Sequence, residues 1–223
     1  MSGLFDPAHL TLGSIFIGSF IIGFSGAVMP GPVLAVAITH SARQGAKAGP
    51  LIVLGHAMLE AALLLALVAG LGAWLTLPAV SGTVGLVGGL ILIWLGVGMF
   101  RSLPGLELDL ESGGKAGAGP VRDGVLLSLA NPYWSLWWAT VGLSLTAMAM
   151  DSGWGWWGLL IFWAGHISSD LAWYWLVSLV VAKGRRFITP RVYRWVVGVC
   201  AGFLLFFAAF FGVFAWRQLM GAA

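Results

Sequence analysis

The chain has 223 residues, of which 60% are hydrophobic and 9% charged, with a formal charge of +3. Soluble domains carry about 25% charged residues, so this composition excludes one and makes lipid the solvent. The cations stand at the ends of apolar runs, where membrane topology accounts for them and nucleic-acid binding does not follow. A single cysteine, Cys200, excludes an internal disulfide or a paired-thiol relay and reads as packing.

In chain order, the first ten residues hold Asp6 and His9 but no Lys or Arg. They lack the basic region of a cleavable signal peptide, so the first apolar span is expected to be retained. Apolar runs near or above the roughly 20 residues needed to cross the hydrocarbon core then predict six spans, at 12–41, 49–75, 84–100, 125–150, 156–182 and 195–216. A basic turn with Arg43 and Lys47 follows the first, and an uncharged turn around Pro78 follows the second. A charged linker over 101–123 comes next, and its Gly-rich 113–117 stretch has no periodicity, which marks it as the piece expected to be disordered. A short turn at Asp151 and a basic loop over 183–194 complete the pattern.

The first, third and fifth loops hold two, three and five of the eleven Lys and Arg residues, and the second and fourth hold none. The positive-inside rule makes the ten-cation side cytoplasmic and places both termini outside. Only Arg217 falls on the other side. Trp154, Trp156 and Trp157, beside the Asp151 turn, fit an interfacial aromatic belt.

Two patterns recur between the halves. Gly55-His56 is followed by Glu60 in the second span, and Gly165-His166 by Asp170 in the fifth, with three residues between His and carboxylate each time. Gly85 and Gly89 in the third span are echoed by Gly198 and Gly202 in the sixth, a spacing that allows close helix approach. The first span is interrupted by Met29-Pro30-Gly31-Pro32 and the fourth by Asn131-Pro132, where proline removes a backbone donor and breaks the helix. The expected fold class is therefore an all-α polytopic membrane protein, with six transmembrane helices arranged as two inverted three-helix repeats. Residues 1–100 form the first repeat, 101–123 the cytoplasmic linker and 124–223 the second repeat. The first break lies late in its span and the fourth-span break early, which argues against an exact two-fold relation.

Glu60 and Asp170 each lie thirteen positions from a cation, Lys47 and Lys183 respectively. That is about 20 Å at the helical rise, close to the bilayer midplane. An ionised carboxylate there costs roughly 2.5 to 3.5 kcal/mol, so it must face protein or water. Residues four apart share a helical face, which pairs His56 with Glu60 and His166 with Asp170. These four residues are the expected proton-coupling or substrate cavity, with interhelical polar glue as the competing reading. Pro30, Gly31, Pro32, Asn131 and Pro132 are the expected substrate-binding positions at the breaks, where the helix beginning after each break turns its positive end inward toward a substrate carboxylate. The Asn131 amide can both donate and accept there.

The stretch from Gly26 through Met29-Pro30-Gly31-Pro32 to Arg43-Gln44-Gly45-Ala46-Lys47-Ala48-Gly49, together with Leu129-Ala130-Asn131-Pro132, resembles the LysE/RhtB amino-acid exporters. That resemblance implies efflux of amino acids or related small metabolites across the bacterial inner membrane, driven by an ion gradient such as protons. The family often places an acidic residue in the second span, matched here by Glu60. His56 and the His166–Asp170 echo depart from the typical amino-acid members, and two His with two carboxylates also suit a divalent metal. The alternatives are thus a divalent-metal exporter and, less favoured, a membrane-embedded metalloenzyme. No nucleophile or cofactor motif supports an enzyme, and no resident metal or cofactor is expected. The expected partners are a small-molecule substrate and the lipid bilayer, and a homo-oligomer is compatible with the sequence.

Overall fold

The computed structural model describes residues 10–75, 77–105, 119–184 and 189–221. The segment with Asp6 and His9, most of the expected linker and part of the basic loop lie outside these residues. The described residues form only helices: α1 (Leu12–Ala27), α2 (Pro32–Gln44), α3 (Ala48–Ala66), α4 (Gly72–Leu75), α5 (Pro78–Ser102), α6 (Pro120–Leu129), α7 (Pro132–Trp137), α8 (Leu143–Asp151), α9 (Trp156–Gly184) and α10 (Pro190–Met220).

Local chemistry sets many of the boundaries. Proline occupies the first turn of α2, α5, α6, α7 and α10, where its missing N–H costs nothing and its fixed φ suits the helix. Thr11 and Ser14 form a reciprocal capping box on α1, and Thr189 accepts from the Val192 amide to cap α10. Gly45, at φ 79°, ends α2 in a conformation other residues rarely adopt. The expected breaks are present. Between Ala27 and Pro32 the chain turns by 87° from α1 into α2, and Asn131 separates α6 from α7. Two π-turns add further irregularity, Leu67–Leu71 between α3 and α4 and Trp138–Gly142 between α7 and α8.

Ala48–Trp74, Pro78–Ser102 and Arg194–Met220 are long and apolar enough to cross a bilayer, and the bent α1–α2 pair makes a fourth candidate. Large apolar side chains point outward, among them Ile21, Trp94 and Phe206, at 64%, 74% and 67% exposure. Such a surface would aggregate in water and is suited to lipid. The Trp154, Trp156 and Trp157 side chains are exposed as well, and the Trp154 indole donates to the Leu10 carbonyl at 2.9 Å.

Glycines decide how closely the helices approach. A Cβ on Gly55 of α3 would collide with the Val121 carbonyl of α6, and one on Gly124 of α6 with the Ile52 carbonyl of α3. On α9, a Cβ at Gly165 would collide with Ser19 and the Phe16 carbonyl of α1. The glycine of each Gly-His motif is thus a contact point between helix backbones, and the histidine beside it is brought to the same interface. Gly85 and Gly89 of α5 pack on α10 as their spacing predicts, and a Cβ on Gly85 would come within 2.9 Å of the Phe214 ring. Among the described residues the sixth-span echo does not pack this way: a Cβ on Gly198 would touch only Leu103, and one on Gly202 would face open space. The α10 side of that interface is built instead by side chains, including Ala208, Phe211 and Ala215.

Candidate functional site

The paired spacing on α3 and α9 brings His56, Glu60, His166 and Asp170 into one buried cluster. Glu60 is fully buried, and His166 and Asp170 are 3% and 4% exposed. The expected local pairs form, His56 Nε2 to Glu60 Oε1 at 2.9 Å and His166 Nε2 to Asp170 Oδ2 at 3.6 Å. They also cross between helices: His166 Nε2 lies 3.3 Å from Glu60 Oε1, and His56 Nε2 lies 3.9 Å from Asp170 Oδ2. Each histidine therefore sees both carboxylates, which sequence spacing alone could not show.

Glu60 Oε1 is the hub. Besides the two imidazoles it accepts the indole N–H of Trp138 at 2.7 Å and of Trp134 at 3.1 Å. A carboxylate can only accept, so the imidazole nitrogen at 2.9 Å must carry a proton to bond with it. In a neutral His56 ring, Nδ1 then accepts from the Ser128 hydroxyl of α6, at 2.7 Å. This shell offsets the desolvation of one buried charge, since each hydrogen bond to a charged group contributes roughly 1.5 to 3 kcal/mol.

Asp170 is held differently. Its Oδ2 is buried without a hydrogen-bond partner among the described residues, with the histidines at ion-pair rather than hydrogen-bond distance. Glu60 Oε2 and His166 Nδ1 are likewise buried without one. The His166 ring is fixed by aromatic neighbours: it stacks on Trp137 with centroids 4.6 Å apart and meets the edge of Trp138 at 5.6 Å.

The broken helices reach the same place. Gly31 and Asn131 line the cavity that contains the four ionisable residues, together with Ser128, Trp134, Trp137 and Trp138. Space open to the centre of a water molecule is about 50 Å³ there, room for a few waters. Pro30 lines a small adjoining pocket shared with Gly31 and Asn131, while Pro32 is buried at the start of α2 and Pro132 starts α7. The Asn131 side-chain carbonyl accepts from the Tyr133 amide as the cap of α7, which leaves its NH2 as the donor end of the side chain. Gly31 caps α2 with no side-chain hydrogen bond to the first-turn amides. The Tyr133 hydroxyl and the Trp137 indole then tie α7 to Ser25 near the end of α1, at 2.8 and 3.1 Å.

Sequence reasoning missed the two indoles on Glu60. A signal existed: Trp134 and Trp138 are four apart directly after Asn131-Pro132 and so share a helical face. Gly142 makes room for this arrangement, because a Cβ there would strike the Trp138 ring. Also missed were His40 Nε2 to Asp123 Oδ2 at 2.8 Å, linking α2 to α6, and Ser41 to Ser178 at 2.7 Å, linking α2 to α9. These partners are 83 and 137 residues apart, and no local spacing marks them.

An apolar exterior around a buried acidic and imidazole cluster, flanked by interrupted helices, defines a multi-pass membrane protein with a polar interior site. The chain belongs to the LysE family, since the model of the LysE type translocator matches residues 24–214. That family is one of translocators rather than enzymes. Over 209 residues the chain is 24% identical to the "Putative amino acid efflux protein YcgF" of Bacillus subtilis, covering 93% of this chain and all of that protein. Over 173 residues it is 28% identical to the "Chemotactic transduction protein ChpE" of Pseudomonas aeruginosa, covering 78% of this chain and 85% of that one. No solved structure matches the chain.

Proposed function

We propose that the chain is a secondary exporter that moves amino acids or related small metabolites out of the bacterial cytoplasm in exchange for protons. The observation that carries this reading is the buried four-residue cluster, which opens on one cavity with both helix breaks. Family membership and the efflux relative support export as its direction.

The six-span reading, with 1–100 and 124–223 as inverted repeats and both termini outside, belongs to the same proposal. Its support is in the packing: α1 lies on α9 while α6 lies on α3, which is the exchange expected if first and fourth spans, and second and fifth, are equivalent. Gly165 and Gly55 sit at those two crossings.

In this mechanism Pro30, Gly31, Pro32, Asn131 and Pro132 frame the substrate. Its carboxylate meets the positive end of α2 at Gly31 and the Asn131 amide, and its ammonium turns toward the carboxylates. A cavity of a few waters is too small for an amino acid, so this conformation is a closed one and loading requires α1–α2 or α6–α7 to move. Glu60 is the fixed counter-ion because four N–H groups converge on it. Asp170, whose Oδ2 is left without a hydrogen bond, is the group that exchanges a proton as substrate leaves, with His56 and His166 passing charge between the two carboxylates.

Efflux from proteoliposomes over a panel of amino acids, with and without an imposed pH gradient, tests this directly. Gradient-stimulated flux of an amino acid supports it, and no flux of any amino acid under either condition refutes it. One observation favours a second substrate class: the ligand atoms of His56, Glu60 and His166 lie within 4.8 Å of one another, close enough to hold a divalent metal as cargo. Against it, the Glu60 oxygen concerned already accepts two indole N–H groups. Flux of Zn²⁺ in the same liposomes separates the two.

A further inference from the structure

Two polar ties outside the cluster hold the far end of α2. His40 Nε2 lies 2.8 Å from Asp123 Oδ2 on the first turn of α6, and the next residue, Ser41, meets Ser178 of α9 at 2.7 Å. His40 is only 4% exposed. A carboxylate only accepts, so Nε2 carries the proton, and in a neutral ring Nδ1 accepts from the Gln44 side-chain amide at 3.2 Å. Both ring nitrogens are thus used, which aims the ring at α6.

The near end of α2 is built to turn. Gly31 stands in the 87° bend between α1 and α2, flanked by Pro30 and Pro32, whose φ angles are fixed. The helices beside α2 are wedged on one another instead: Gly55 and Gly124 seat α3 against α6, and Gly49 seats α3 against the Tyr174 backbone of α9. α2 rests on this frame through the two ties and through Ile38 and Ala42, which pack with Val181 and Val197. Val33 and Ser128 line the cavity, and His40 and Asp123 lie seven and five residues from them toward the cation-bearing loops. That is about 10 and 8 Å along the two helices, on the side the cation count makes cytoplasmic. Across the breaks, α1 and α7 are tied separately, through Ser25 to Tyr133 and Trp137.

We propose that His40 and Asp123 form the cytoplasmic latch of the transport path: their bond holds α2 against α6 beside the cavity, and its release lets α2 swing about Gly31 to admit substrate. This rests on the exporter reading and says which broken span moves for loading. A hydrogen bond to a carboxylate is directional, so a small displacement of α2 breaks it, whereas the apolar contacts of Ile38 and Ala42 tolerate sliding. The Ser25 bonds are on other helices, so the outer half of the site stays shut while the inner half opens.

The test is the reaction of a cavity cysteine, Val53→Cys, with a membrane-impermeant thiol reagent in inside-out and right-side-out vesicles. Val53 lines the cavity and is 3% exposed, and the chain with Cys200 alone gives the background. Labelling from the cytoplasmic face should rise about tenfold in Asp123→Ala, and about threefold in Asp123→Asn, which keeps a neutral acceptor for the His40 proton. Arg122→Gln, at the exposed neighbouring position of α6, should label like the parent. Should Asp123→Ala fail to fold, Asp123→Asn carries the test. Unchanged labelling in the folded Asp123 variants, an equal rise in Arg122→Gln, or a rise confined to the outer face would overturn the latch. Amino-acid flux, measured without the reporter cysteine, separates the two readings. Raised labelling with no amino-acid flux even in the wild type would refute the exporter and support the latch, and unchanged labelling with wild-type flux intact would refute the latch alone.

Discussion

The two Gly-His-carboxylate motifs share a spacing and a glycine at a helix crossing but not an environment. In the first half, Glu60 accepts two indole N–H groups and lies within 3.3 Å of both imidazoles. In the second half, the closest imidazole to Asp170 is 3.6 Å away, and its Oδ2 has no hydrogen bond. The cause lies in the fourth span: Trp134 and Trp138 from α7 and its π-turn are directed at Glu60 alone. A repeated motif has thus been given one rigid and one loosely held carboxylate, a division of labour that suits a carrier needing both a fixed charge and a changeable one.

The largest expected effect breaks the rigid side. Glu60→Ala leaves the converging N–H groups without an acceptor in a fully buried position, which should cost about 3 to 5 kcal/mol by thermal unfolding in detergent. Asp170→Ala removes a carboxylate whose Oδ2 accepts no hydrogen bond and should cost much less in the same assay, about 1 kcal/mol. Equal losses would erase the distinction between the halves.

Removing the indole donors sharpens it further. Trp138→Phe should lose roughly 1.5 to 3 kcal/mol, the range for a hydrogen bond to a charged group, and Trp134→Phe less, because its bond is longer at 3.1 Å against 2.7 Å. Gly55→Ala and Gly165→Ala test where the halves agree. Each inserts a methyl against a facing backbone and should cost about 1 to 3 kcal/mol. At the small end, Gly202→Ala meets open space and should stay within about 0.5 kcal/mol of wild type.

Much of this was legible in the sequence because membrane helices satisfy their own backbone and declare themselves by composition. The prolines at Pro30, Pro32 and Pro132 marked the breaks, and four-residue spacing gave the pairs His56–Glu60 and His166–Asp170. Relations between distant segments were not legible. That both histidines reach both carboxylates depends on how closely α3 and α9 approach, which is set by residues such as Gly49 against the Tyr174 backbone. The Gly198–Gly202 echo misled for the same reason: a glycine pair permits close approach but does not say which face of α10 meets α5. His40 and Asp123, on α2 and α6, carried no spacing signal at all.

The most direct test of the account is Asp170→Asn in proteoliposomes, with substrate exchange and pH-gradient-driven flux measured side by side. A neutral Asn fixes this position in a proton-bound-like state while leaving Glu60 and its donors in place. Exchange of an amino acid should continue and the response to the gradient should be lost. Gradient-driven flux at the wild-type rate would contradict the role given to Asp170.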